Sequence, residues 1–146
     1  MRVVLDTNVL VAAFATEGLC HALFELCVDQ HEIVMSDHIL KELADGLETK
    51  LRVPSRIAQD TVRYLRQHSL MFQQEPPVKR VCRDPADDWI LTLADQAGAQ
   101  HIITGDQDLL VLSLSELRYP HIILPREFWE ILRTRKDSTE DADETP

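Results

Sequence analysis

Short apolar runs that stop on turn-forming polar residues, each followed by a segment of helical periodicity, constrain this chain more than any other feature. Val3-Val4-Leu5 gives way to Asp6-Thr7-Asn8, Ile33-Val34-Met35 to Ser36-Asp37, and His101-Ile102-Ile103-Thr104 to Gly105-Asp106. Runs this short, with no alternation of polar and apolar side chains, suit strands covered on both faces, and Asp, Ser and Asn cap the helices that follow. Leu70-Met71-Phe72 and Ile122-Ile123-Leu124 are further strand candidates. Helical segments fill the intervals. One covers about 9–15, and a second, after Gly18, carries Leu19, Leu23, Phe24, Leu26 and Cys27. From Asp37, Ile39, Leu43, Leu47 and Leu51 recur every four residues, and from Pro54-Ser55 a helix places Ile57, Ala58, Thr61, Val62 and Leu65 on one side. Another runs from Asp84-Pro85 to a stop at Gly98, a short one covers 108–112, and the last starts at Pro125 and ends near Arg135.

Strands alternating with helices in this way specify an α/β fold, a parallel sheet with helices on both faces. A chain of 146 residues that is 45% hydrophobic has enough apolar surface for one core. Glu75-Pro76-Pro77-Val78-Lys79-Arg80 is therefore an extended connection within a single domain of residues 1–136. Residues 137–146, DSTEDADETP, have no large apolar side chain and are expected to form a disordered acidic tail. No apolar run reaches a membrane span and no signal-peptide core develops before Asp6, so a cytoplasmic protein without a membrane partner is expected. Cys20, Cys27 and Cys82 form no CxxC pair, and the six histidines show no HExxH, so neither a disulfide framework nor a zinc site is signalled.

In parallel sheets function collects outside the carboxyl ends of the strands. Asp6 and Asp106 stand at two such ends. Taken alone, Asp6 could cap a helix and Asp106 could fill a Gly-Asp turn. The helices add to them. At 100° per residue Asp87 lies about 60° from Ile90 and about 20° from Ala94, whereas Asp88 lies about 160° from Ile90 and is expected in solvent. Glu42 lies about 60° from Ile39, bordering the apolar stripe, with Asp45 and Glu48 on the opposite face. A carboxylate on an apolar face needs a partner, and four brought together repel one another unless a cation holds them. Hard oxygen ligands suit Mg²⁺ or Mn²⁺, so these residues read as a divalent-metal site.

Asp6-Thr7-Asn8-Val9-Leu10, the Ser36-x-x-Ile-x-x-Glu42 helix, Asp84-Pro85-Ala86-Asp87-Asp88 and Thr104-Gly105-Asp106-Gln107-Asp108-Leu109-Leu110 occur in an order and spacing that resembles the PIN-domain ribonucleases, in the branch of toxin components of toxin–antitoxin pairs. The resemblance spans residues 1–132. It implies a three-layer α/β/α domain around a small central parallel sheet, and RNA phosphodiester hydrolysis with one or two Mg²⁺ or Mn²⁺ ions. Under it Asp6, Glu42, Asp87 and Asp106 match the family's acidic quartet, Asp108 an auxiliary acid, and Asn8 and Thr104 supporting polar groups. Asp6 and Asp106 would be inner-sphere ligands, with Glu42 and Asp87 ligating a second ion or orienting water. The resemblance also implies a cognate antitoxin and a homodimer or higher oligomer.

The formal charge is −10, which by itself disfavours a nucleic-acid substrate. The tail holds five of the 25 acids, so residues 1–136 carry 20 acids against 15 bases, −5, and setting aside the quartet leaves −1. Local basic groups remain. Arg56, Arg63 and Arg66 share one helix face, Lys79, Arg80 and Arg83 lead into the Asp87 motif, and Arg133, Arg135 and Lys136 close the last helix; Arg56, Arg63, Arg66, Lys79 and Arg80 are the candidates for RNA contact. Two other readings compete. A haloacid-dehalogenase-like phosphatase would need a second aspartate where Asn8 stands and a longer spacing than Gly105-Asp106-Gln107-Asp108 provides. A PIN-like scaffold that binds RNA or a partner without cutting it would keep the fold and lack the activity.

Overall fold

The computed structural model of the chain describes residues 1–114 and 121–143. Its elements are β1 (Arg2–Leu5), α1 (Thr7–Ala15), α2 (Leu19–Gln30), β2 (Glu32–Met35), α3 (Asp37–Lys50), α4 (Ser55–His68), β3 (Leu70–Met71), α5 (Pro85–Ala97), β4 (His101–Ile103), α6 (Gln107–Leu110), a 3₁₀ turn (Val111–Leu114), β5 (His121–Ile123) and α7 (Pro125–Asp143). The strands form one parallel sheet in the order β3-β2-β1-β4-β5, flanked by helices on both faces.

That order is what positions the site. The chain builds outward from β1 to β2 and β3, then returns past β1 to add β4 and β5 on the other side. The direction of growth reverses between β1 and β4, so the connections leaving their carboxyl ends diverge and open a crevice there. Val4 pairs with Ile102 and Leu5 with Ile103, and the ladder continues one step further through the Asp6 amide, which donates to the Ile103 carbonyl at 3.0 Å. Asp6 thus leaves the sheet at the mouth of the crevice.

Each strand triplet is buried on both faces, as its composition demands: Val3, Val4 and Leu5 beside Ile33, Val34, Met35, Ile102, Ile103, Ile122 and Ile123. Leu10, Leu23, Ile39, Leu43, Leu65, Ile90, Leu93 and Phe128 pack on them from the helices. Complete burial of such side chains contributes roughly 1.5–3 kcal/mol each before the entropy of ordering is set against it. Ser36 caps α3 by accepting from the Ile39 amide, and Asp84 caps α5 by accepting from the Ala86 amide at 3.0 Å. Gly98 ends α5 in the left-handed region at φ 66°, where a side chain would be strained.

Four local expectations are revised. Helix α3 stops at Lys50, so Leu51 falls outside the stripe and is exposed. Ala58 and Leu65 of α4 are buried, but Ile57 is 52% exposed, because it borders an open cavity lined also by Phe14, Phe24 and Tyr64. Helix α7 continues past Arg135 to Asp143, so 137–143 has helical backbone, while 144–146 lie outside the described residues. Asp88 is buried rather than solvated: the connection after β3 folds back over α5, and the Asp88 carboxylate accepts from the amides of Val81 at 3.0 Å and Cys82 at 2.8 Å. The same connection is held at its other end by Gln74, which donates to the Trp89 carbonyl, and by paired contacts between Glu75 and Gln96. Periodicity within α5 could not show this, because the residues that cover its outer face come from elsewhere in the chain.

Candidate active site

Two strand ends supply the first pair of acids, and one side chain ties them together. Thr104, fully buried after β4, donates its hydroxyl hydrogen to Asp6 Oδ2 at 2.8 Å and accepts from the Asp106 amide at 2.9 Å. Asp106 in turn caps α6, its Oδ1 accepting from the Asp108 amide at 2.9 Å. Burial raises the Asp6 carboxyl above its ordinary value, opposed by the hydrogen bonds from Thr104 and the Thr7 backbone and by the charge of Lys50, and reinforced by Asp106.

The second pair comes from helices. The first turn of α5 carries Asp87 into the same space, 5% exposed. Burial, the charges of Asp106 and Asp6, and a carboxyl contact with Asp106 that requires a proton push Asp87 up to about 7. With both groups ionised that contact is repulsive, and Asp87 Oδ2 is buried with no hydrogen-bond partner. Glu42 of α3 is half-buried, and its Oε1 lies 3.1 Å from His38 Nε2 one helical turn earlier. The His38 ring stacks on Trp89 of α5, centroids 3.6 Å apart and planes 8° apart, so α5 fixes the group that holds Glu42. Burial raises the Glu42 carboxyl, His38 lowers it, and Asp84 and Asp6 raise it.

Asp6, Glu42, Asp87 and Asp106 all line one cleft of about 300 Å³. Asn8 stands on its rim, with Oδ1 accepting from Lys50 Nζ at 3.2 Å. Thr104 lies beneath it, and Asp108 is an exposed residue that meets Asp106 through its backbone and does not line the cleft. Asp45, expected on the far side of α3, lines the cleft as well. Glu42, Asp45, Gly46, Thr49 and Lys50 recur at the i, i+3, i+4, i+7, i+8 spacing of a helix face, so α3 presents a second, polar stripe beside its apolar one. Gly46 on that stripe faces Val11 of α1, where an added Cβ would make ordinary contact at 3.6 Å. Sequence reasoning passed over Lys50, Asp84 and His38; the polar stripe of α3 and the His38/Glu42 spacing of four were the available signals.

Of the basic candidates, Arg63 pairs with Asp60 at 3.2 Å and Arg66 with Asp37 at 2.8 Å, which neutralises part of the α4 ridge. Arg56, Lys79 and Arg80 are exposed. Burial pushes the Cys27 and Cys82 thiols up to about 12, as suits unreactive core cysteines.

The donor set is all carboxylate oxygen, which fits a hard divalent cation. Among the described residues no three acids are arranged as a ready cage, yet Mg²⁺ keeps several waters and needs only one or two carboxylates. The unpartnered Asp87 Oδ2, buried among like charges, is the atom such an ion would satisfy.

A family model of the PIN domain matches residues 2–108. Among solved structures, VapBC2 from Rickettsia felis, bound to a DNA fragment from its promoter, is 16% identical with a TM-score of 0.56, covering 85% of this chain and 97% of that one. VapC20 from Mycobacterium tuberculosis, a toxin that cleaves the sarcin-ricin loop, is 13% identical with a TM-score of 0.53, covering 80% and 98%. FitAcB from Neisseria gonorrhoeae is 17% identical with a TM-score of 0.51, covering 84% and 97%. A comparison with curated proteins finds no match. Among the described residues no single helix is long and apolar enough to cross a membrane.

Proposed function

The chain belongs to the PIN-domain family, and on that premise we propose that it is a divalent-metal-dependent endoribonuclease and the toxin of a toxin–antitoxin pair. One observation carries the reading: four carboxylates from two strand ends and two helices face a single cleft at the sheet's switch point, where Asp87 keeps a buried oxygen without a partner. Solvated surface acids would not be gathered in this way, because burial and mutual repulsion both oppose it.

One or two Mg²⁺ or Mn²⁺ ions, when bound, supply a water of lowered pKa and stabilise the departing oxygen. The chain's own residues prepare the place. Thr104 fixes the Asp6 carboxylate while holding the backbone of Asp106, so the two strand-end acids keep a constant separation. Asp6 and Asp106 are the proposed direct ligands, and Glu42 and Asp87 complete the charge or orient water. The His38 and Trp89 stack keeps Glu42 turned toward the cleft. Exposed Arg56, Lys79 and Arg80, with the paired Arg63 and Arg66, guide the RNA backbone, and reversing their charge is expected to weaken RNA binding and flatten its salt dependence. Membership in this family disfavours the phosphatase reading.

The structural neighbours include toxin–antitoxin complexes, which supports an antitoxin partner; a homodimer or higher oligomer and a cytoplasmic place of action are further parts of the proposal. The deciding experiment compares wild type, Asp6→Asn and Asp106→Asn on RNA with Mg²⁺, Mn²⁺ and EDTA. Cleavage by wild type alone, abolished by EDTA, is the expected result. Equal cleavage by all three proteins overturns the assignment of the site, and no cleavage of any RNA favours a non-catalytic scaffold.

A further inference from the structure

Among the described residues that line the cleft, six are acids and one, Lys50, is basic. It is the last residue of α3 and stands exposed on the rim. Its ammonium donates to Asn8 Oδ1 at 3.2 Å, which draws the flexible side chain back across the mouth toward the first turn of α1. An ammonium has three donors, and the structure gives this one a single hydrogen-bond partner. A salt bridge to Asp6 or Asp45 would have used the charge fully within the protein; none is formed among the described residues, where three Arg–carboxylate pairs and two His–Glu contacts are.

We infer that Lys50 is a substrate-positioning residue, whose ammonium, steered by Asn8, binds a non-bridging phosphate oxygen of the RNA strand at the mouth of the cleft. This rests on the ribonuclease reading and extends it. A polyanion approaching a cleft lined by six acids is repelled wherever no cation offsets them, and Lys50 is the one lining side chain that attracts a phosphate, so its place sets how deep the neighbouring phosphodiester enters. Asn8 adds direction: a lysine tethered at one hydrogen bond keeps two donors for the phosphate and loses less rotamer freedom on binding.

The test measures binding of a mixed-sequence single-stranded RNA oligonucleotide by fluorescence anisotropy, in Ca²⁺ across a salt series, with wild type, Lys50→Gln, Lys50→Arg and Asn8→Ala. Lys50→Gln is expected to weaken binding about 10-fold at low salt and to lower the salt slope by about one phosphate contact. Lys50→Arg, which keeps the charge, recovers most of the affinity, and Asn8→Ala keeps the wild-type slope. With Mg²⁺ the Lys50→Gln defect falls more on KM than on kcat. Binding by Lys50→Gln equal to wild type overturns the inference, as does Asn8→Ala matching Lys50→Gln in affinity and slope, which would make the lysine a strut between α3 and α1. Wild type that binds RNA without cutting it in Mg²⁺ or Mn²⁺ refutes the nuclease reading while the residue-50 comparison still stands, and wild type that does not bind RNA overturns both.

Discussion

The Thr104 hydroxyl donates to Asp6 Oδ2 at 2.8 Å across 98 positions of sequence, and the same oxygen receives the Asp106 amide at 2.9 Å. One buried side chain thereby sets the spacing of two acids that the sheet brings to neighbouring strand ends.

Thr104→Val keeps the shape and removes both hydrogen bonds. Stability is expected to fall by about 1–3 kcal/mol, since the buried Asp6 carboxylate and the Asp106 amide each lose a partner, and RNA cleavage to fall at least about 10-fold. Thr104→Ser retains most of both. Urea unfolding alongside a cleavage assay checks the pair, and a Val variant with wild-type activity would show that the bridge does not position the site.

Asp87 carries a pH signature. Its carboxyl sits at about 7 in the folded chain against an ordinary 3.8, so between those values the folded state keeps a proton that the unfolded state has released. Stability from this group is complete below about 3.8 and is lost as pH rises through about 7. In EDTA, Asp87→Asn is therefore expected to be more stable than wild type above neutral pH, by roughly 1 kcal/mol after allowance for solvent screening, and to have a flatter profile of Tm against pH. It should also lose RNA cleavage. Calorimetry across that range decides, and parallel profiles for the two proteins would contradict the assignment.

Metal addition should act in the opposite sense. Mg²⁺ or Mn²⁺ is expected to raise the wild-type Tm in a concentration-dependent way at neutral pH, by about 2.7 kcal/mol of added stability at 100 times the Kd. The gain should shrink in Asp6→Asn and Asp87→Asn. An equal rise in all three would place the ion elsewhere.

Trp89→Leu tests the support of Glu42. Removing the ring frees His38, and the expected result is a loss of about 10-fold or more in metal affinity or cleavage, the scale seen for residues that orient ligands. Helix content should stay as in wild type by circular dichroism. Unchanged metal affinity and cleavage would show that Glu42 holds its place without the stack.

Asp88→Ala removes the acceptor of the Val81 and Cys82 amides. Hydrogen bonds to a carboxylate contribute roughly 1.5–3 kcal/mol, so stability should drop by about that amount, and those two amides should exchange faster than the α5 core. Retained protection at both positions would refute the clamp.

Local periodicity was enough to read the alternation of strands and helices, and with it the parallel sheet, because triplets such as Val3-Val4-Leu5 and stripes such as Ile39, Leu43 and Leu47 carry their burial in their spacing. Asp6, Glu42, Asp87 and Asp106 stand out in the sequence on related grounds, two following strands, one on an apolar helix face and one at the border of another, and the structure gathers all four at one cleft. What periodicity could not reach was anything decided by a partner distant in the chain. Asp87 and Asp88 are neighbours in sequence and equally buried, yet one lines the cleft with an unpartnered Oδ2 while the other holds a connection folded over α5. Asp45 and Lys50 join the cleft because the polar side of α3 faces α1, and His38 matters because Trp89 comes to lie against it. Sequence determines which side chains can leave solvent; only the order β3-β2-β1-β4-β5 decides what they meet when they do, since hydrogen bonds and charges act over a few ångströms of space rather than along the chain.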